Sequence, residues 1–452
     1  MEKMMSNIKK WNKIYSGRPD WSDYKVTTIG GVGRYKRKKL NMAKTICDKI
    51  SKLLWSEYPI ITVDEGLDIL NEVFNNNMFY TRMSDSIEYQ AALGGMVIKG
   101  YANNNKIELD FITADKFIPI DWDGYKITGG KFYDYIKRDK TLYTKIETHR
   151  FVDEPVGEND DGDIIKKRVY KITNELYKDG NKKNLDIKVL FPDLDNEYII
   201  EGVDNPLFVY IKNPIANNVD INSPLGISIF DSCIDSLESV DICYDGLNDE
   251  ILLGKKRIIV STDNIKTVID PDTNQKRRYF DPADRVYVAI DIDDVNKLKI
   301  TDNSSELRVD DVVKALTTHL DIIAVKCGLS AGTFSFDGKS VKTATEIVSE
   351  NSETFTTKKK YQACLQVGIK EIVRIIFDIY NIINKDSIDC GKINITWFDS
   401  LFDSDDDKFN KYLKLSDKGL VSKRMVLKSL FGLIDNEINE IFKEIENEKV
   451  IT

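Results

Sequence analysis

Residues 228–250, SIFDSCIDSLESVDICYDGLNDE, hold seven carboxylates and no lysine or arginine. Their apolar residues recur at helical spacing, which constrains the segment to an amphipathic helix. At about 100° per residue, Ile229, Cys233, Leu237, Val240, Tyr244, Leu247 and Ile251 fall on one face roughly 80° wide. Asp231, Asp235, Glu238, Asp241, Asp245 and Asp249 take the opposite face. Such a helix packs on one side and turns dense negative charge to water on the other. Ordinary solvent faces mix both signs, and like charges one turn apart cost stability. A lone enzyme gains little from this stripe, whereas a wall past which a polyanion must slide without sticking can use it.

With 452 residues, 42% of them hydrophobic and 31% charged, the chain can bury a sizeable core divided among a few structural units. Apolar stretches such as Ile369 to Ile383 are broken by Lys370, Glu371, Arg374 and Asp378, so none is a bilayer span. The opening MEKMMSNIKKWNKIYSG lacks the apolar run of a secretory signal, and a cytoplasmic product is expected. The net charge of −9 has the wrong sign for tight gripping of nucleic acid. Handling nucleic acid without gripping it stays open. Cysteines at 47, 233, 243, 327, 364 and 390 form no CxxC pair and are expected to be free, buried thiols. The two histidines, His149 and His319, are too few for a histidine metal site or triad and are expected to pack or lie at the surface.

Apolar periodicity predicts helices over 36–57, 64–74 and 82–93, the last ending at Gly94-Gly95. From Met96 to about Ile211 short alternating runs separated by Gly, Asn and Asp turns predict an antiparallel sheet region. The acidic helix follows Asn222-Ser223-Pro224-Leu225-Gly226, ends near Gly254 and runs into Lys255, Lys256 and Arg257. Strand-like runs fill 257–300, and a helix returns with Val309, Val312, Val313, Leu316, Leu320, Ile323, Ala324 and Cys327 on its apolar face. Two neighbouring helices with a small β unit inserted at their far end follow from this order. A long helix runs from about Thr343 to Ile383, about 60 Å at 1.5 Å per residue. One strand and short helices make the tail.

Three motifs give way to plainer readings. Gly30-Gly31-Val32-Gly33 follows no good strand and lacks the GxGxxG spacing, so it reads as a flexible turn. Gly338-Lys339-Ser340 resembles the end of a phosphate loop, but Thr333 stands where the first glycine is required. It reads instead as a mobile loop carrying Lys339 and Lys342. Asp403, Asp405, Asp406 and Asp407 lack the central glycine and distal glutamate of a calcium loop and read as an acidic linker.

The segments GISIFDSCIDSLESVDICYDGLNDEILLGKKRIIV and CGLSAGTFSFDGKSVKTATEIVSENSETF resemble the portal proteins of tailed bacteriophages, in the family from phages of Gram-positive hosts. FSFD with KTATEI carries most of the likeness, which covers essentially the whole chain. It implies an α+β portal-type fold: an α/β wing (1–225), stem helix 1 (226–254), a small β-rich clip inserted between the stem helices (255–306), stem helix 2 (307–328), a tunnel loop (329–342), the long wing helix and a strand (343–395), and a helical crown (396–452). The crown is expected to be reduced in a chain of this length.

The resemblance further implies a non-enzymatic ring, typically of about twelve copies, at one capsid vertex of the virion, assembled in the host cytoplasm. It would need no cofactor or metal. Double-stranded DNA would pass through it in packaging and ejection, touched transiently and without sequence preference. The terminase large subunit, a head–tail connector, and major capsid and scaffold proteins would be partners. Asp231, Asp235, Glu238, Asp241, Asp245 and Asp249 would line the channel. Ser335, Phe336, Asp337, Lys339, Ser340 and Lys342 would form the DNA-contacting tunnel loop, and Lys255, Lys256, Arg257, Arg277 and Arg278 the clip interface. The alternatives are a nucleotide-dependent cytoplasmic enzyme and another ring-forming virion scaffold component without DNA passage.

Overall fold

The computed structural model describes residues 1–28, 31–124, 126–158, 164–178, 184–253, 307–335 and 352–397, four short strands between 258 and 302, and isolated residues beyond 412. It is a mixed helix and sheet fold. Seven long helices are described: α1 (Glu2–Tyr15), α2 (Met42–Trp55), α3 (Leu67–Asn76), α4 (Phe79–Leu93), α5 (Ile234–Leu253), α6 (Val309–Lys326) and α7 (Ser352–Asn384).

The region predicted to be antiparallel sheet is antiparallel in every described pairing, but it divides in two. Strands β4 (Gly95–Asn103), β5 (Lys106–Thr113) and β12 (Phe208–Lys212) form a three-stranded sheet in the order β12-β4-β5. Strands β6 (Phe117–Asp123), β7 (Lys126–Arg138), β8 (Thr141–Glu158), β9 (Ile164–Lys178), β10 (Asn184–Leu185) and β11 (Glu197–Ile200) form a longer sheet. In it β8 and β9 pair along most of their length. Near the amino terminus β1 (Asp23–Thr28) and β2 (Gly31–Lys36) make a hairpin, and β3 (Ile60–Thr62) pairs with β17 (Asn394–Thr396).

One apolar core joins these elements. α7 contributes Tyr361, Leu365, Ile369, Ile372, Val373 and Ile376, all buried, because its apolar positions repeat every three or four residues. The same core holds Met96, Val97 and Ile98 of β4, Ile87 and Ala91 of α4, and Ile46, Cys47 and Ile50 of α2. α4 stops at Gly94, whose φ of +88° suits a residue without a side chain. A Cβ there would sit 2.4 Å from the Gly226 carbonyl oxygen, and one on Gly226 would sit 2.1 Å from that of Gly94. These two glycines let the chain leading into α5 lie directly on the end of α4.

The two sheets are tied by a buried polar network. Glu147 of β8 accepts hydrogen bonds from Lys99 of β4 (2.6 Å), Lys145 (2.9 Å) and His149 Nε2 (2.7 Å). His149 Nδ1 lies 2.9 Å from the Tyr170 hydroxyl, which accepts from the Leu207 amide at 3.1 Å. With its proton on Nε2, a neutral His149 accepts the Tyr170 proton, so both of its ring nitrogens are paired. Burial holds the His149 pKa below its ordinary value, against the pull of Glu147. Burial alone would raise Glu147, but the His149 hydrogen bond and the lysine charges hold it well below the carboxylate range.

Both pKa values are depressed in the folded chain, so the unfolded chain takes up the extra protons and acid destabilises the fold. Stability is expected to fall as pH drops below about 6.5 through His149, and further below about 4.5 through Glu147. The slope is up to about 1.4 kcal/mol per pH unit for each group. Thermal melts across that range check it, and His149→Gln should flatten the upper part.

Helix 36–57 of the sequence reading is shorter in fact: 31–36 is strand β2 and α2 begins at Met42. The backbone amides of Lys38 and Leu40 are taken by carboxylates of α5 and cannot join a helix (3.0 Å each). The long helix is described from Ser352 to Asn384, and the expected start near Thr343 lies outside the described residues.

Candidate functional site

α5 and α6 lie side by side. Cys233 just before α5, Leu237 and Val240 on it, and Leu316, Leu320, Ile323 and Ala324 on α6 are buried in the common core. Cys233 Sγ and Cys327 Sγ are 3.8 Å apart, both as thiols. All six cysteines are free, four of them buried and Cys243 and Cys364 half-buried. At the far end Arg308 holds both oxygens of Glu250, at 3.3 and 3.0 Å, and also donates its amide to that carboxylate. Beyond it Ile258-Ile259 (β13) pairs with Thr301-Asp302 (β16), while Thr267–Ile269 (β14) pairs with Lys276–Arg278 (β15). The chain between the two helices therefore leaves and returns at one place.

The apolar face read for α5 weakens along its length. Tyr244 and Leu247 are half-buried and Ile251 is 51% exposed. Ile242, Leu252, Val313, Ile322 and Val325 are likewise exposed, so the pair ends in apolar surface that one chain leaves uncovered.

The acidic face corrects the expectation that all six carboxylates meet water. An arm made of α1, the β1–β2 hairpin and the link to α2 lies along it. Asp231 accepts the Trp11 indole N–H at 2.8 Å, and Asp241 accepts the Trp21 indole N–H at 2.9 Å and the Leu40 amide at 3.0 Å. Asp245 accepts the Lys38 amide at 3.0 Å and lies 4.0 Å from Arg37. Asp241 is only 5% exposed. Buried carboxylates need such donors, since an unpaired charge away from water is expensive.

On the wheel the arm covers the edge carrying Asp241 and Asp245, and Asp231 sits in the short turn Asp231–Cys233 before the helix. It leaves a strip with Asp235 and Asp249 exposed and Glu238 half-buried, none of them paired with a cation among the described residues. Replacing Asp241 by alanine orphans two donors, and a loss of about 2–3 kcal/mol is expected in urea unfolding.

Of the other expected site residues, Ser335 is half-buried at the end of a pinned segment. Leu329 and Ser330 before it are buried. The Ser330 amide donates to Thr354 Oγ1 at 2.9 Å, and the Gly332 amide to Asp321 at 2.7 Å. The start of the expected tunnel loop is thus fastened to α6 and α7. Phe336, Asp337, Lys339, Ser340 and Lys342 lie outside the described residues, as do Lys255, Lys256, Arg257 and the aspartates at 403–407. Arg277 and Arg278 stand opposite Val268 and Thr267 in the β14–β15 ladder.

Gly31 and Gly33 belong to strand β2, not to a loop between strand and helix, which removes the geometry a phosphate cradle requires. No metal-type cluster of His, Cys, Asp or Glu occurs among the described residues, nor a helix long and apolar enough to cross a membrane.

The sequence matches, over residues 1–450, the family model described as phage portal protein, SPP1 Gp6-like. A search of curated proteins finds no match.

Proposed function

We propose that this chain, which belongs to the SPP1 Gp6-like family of phage portal proteins, forms a ring of about twelve copies whose inner wall carries the open strip of Asp235, Glu238 and Asp249. Portal proteins are structural components of the phage capsid, serve DNA packaging and are not enzymes. The observation carrying the finer reading is the division of the acidic face. Carboxylates the arm needs are held by its donors, while the remainder form an anionic strip without a paired cation among the described residues. A translocating polyanion meets no lasting partner on such a wall, and its passage has no deep energy well.

In this reading α5 and α6 are the stem, and 255–306 is the clip that docks the terminase large subunit during loading and the head–tail connector afterwards. Segment 329–342 is the tunnel loop, the two sheets with α7 are the wing, and 396–452 is the crown, in contact with capsid and scaffold. The stem assignment is supported by the Arg308–Glu250 closure, behind which the clip is inserted. The uncovered Ile242, Ile251, Val313 and Val325 supply apolar surface for packing between neighbouring stems, which offsets the repulsion of converging acidic strips.

Purified full-length protein tests this by mass measurement, ATP hydrolysis and low-resolution imaging. A large ring with an open channel and no ATP turnover is expected. A monomer that hydrolyses ATP overturns the reading, and a ring with no channel wide enough for duplex DNA leaves only a scaffold role.

A further inference from the structure

We infer that the β1–β2 hairpin is a docking site for the phosphate backbone of duplex DNA. The inference rests on the portal reading for its polyanion and adds a second, cationic contact to a mainly anionic conduit.

From Tyr24 to Cys47 the chain has seven lysines and arginines and no carboxylate. The hairpin register sorts them. Asp23 stands opposite Lys36, Tyr24 opposite Tyr35, Lys25 opposite Arg34 and Thr27 opposite Val32. Alternation puts Lys25, Arg34 and Lys36 on one face with Asp23, Thr27 and Val32, a face with a net charge of +2, and the two tyrosines on the other. Like charges directly opposite destabilise a strand pair, yet Lys25 faces Arg34 with no carboxylate paired to either among the described residues. All three cations are exposed, as are Val32 (64%) and Tyr35 (47%). A bound polyanion removes that repulsion.

The platform is held firmly. Tyr24 and Tyr35 stack at 5.9 Å, and Arg37 lies over the Tyr24 ring at 5.0 Å. Gly33 has no Cβ because the Tyr35 ring occupies its place, 2.7 Å away at Cε2. Arg37, Lys38 and Leu40 then fasten the base to Asp245 and Asp241. Those contacts use the cations nearest α5, and the three on the outward face keep their charge for a ligand. A two-stranded ribbon is narrow enough to follow a DNA groove. Lysine and arginine set on one face give phosphate contacts, which fix position and carry no sequence information.

The test uses the assembled full-length protein and a short fluorescent duplex, titrated at several salt concentrations. Lys25→Glu, Arg34→Glu and Lys36→Glu together should weaken binding at least about tenfold, and the slope of log affinity against log salt should fall by about 2.7. Lys106→Glu, Lys137→Glu and Lys140→Glu, an equal charge change at exposed sites elsewhere, should do much less. A glutamine triple at 25, 34 and 36, which removes the three positive charges without adding negative ones, should fall between. Equal loss in both glutamate triples overturns the inference. So does loss of ring assembly with DNA affinity retained, which would assign the hairpin to a second copy. A wild-type ring that binds no duplex overturns the inference and spares the ring, whereas a wild-type monomer that binds none removes the portal reading as well.

Discussion

The triple change Asp235→Lys, Glu238→Lys and Asp249→Lys is expected to leave the ring assembled and to cut packaged DNA by roughly tenfold or more. None of the three carboxylates has a partner among the described residues, so removing them orphans no donor and the protomer should fold normally. Each copy would change the charge of its strip by six units, and a ring multiplies the change. Phosphates passing such a wall would find lysines at every level and release counterions to bind them, turning a smooth path into a series of wells. The measurement is DNA per filled head, with ring mass as the control. Normal packaging by an assembled triple variant would defeat the electrostatic account while leaving family membership untouched. The choice of residues matters. A variant including Asp245 would also release the arm, because Asp245 holds the Lys38 amide.

Glu147→Leu is the most damaging single change expected where the two sheets meet, about 3–5 kcal/mol. It removes the carboxylate that, among the described residues, compensates Lys99 and Lys145, whose side chains are 6% and 13% exposed, and it strips His149 of its acceptor. The cost comes less from the lost attraction than from cations left in a site lined by Phe132 and Phe208, which cannot solvate them. Chemical denaturation should show a large fall in midpoint. The double variant Lys99→Met with Glu147→Leu should recover a good part of the loss by replacing a charge pair with apolar side chains. Failure of the double to improve on the single would show that Lys145 and His149, rather than Lys99, dominate the penalty.

Much of the fold was legible where one period governs a whole element. α5, α6 and α7 announce themselves by apolar residues every three or four positions, and β5 to β9 by alternation. α1 carries the same signal, with Met4, Ile8, Trp11 and Ile14 buried on one face.

The arm on α5 was not legible, because its contacts join residues about two hundred positions apart and use indole and backbone donors that leave no charge pattern. The available hint was chemical. Trp11 and Trp21 are large side chains with an N–H that needs an acceptor when buried, in a chain whose acidic stripe lacked cations of its own. Of the two roles the sequence leaves open for it, packing or surface, His149 takes packing in the structure. Its network could have been found from Lys145, Glu147 and His149, which strand alternation puts on one face.

Closure of the chain at Glu250 and Arg308 has an evolutionary consequence. Because the polypeptide departs and rejoins at a bidentate pair backed by a two-residue ladder, the 57 residues between are a cassette whose ends are already held together. Exchanging one cassette for another of different length adds little closure entropy, which grows only with the logarithm of loop size. A lineage can therefore replace the contents while inheriting the frame unchanged, and grafts between related chains should be cut at these two residues.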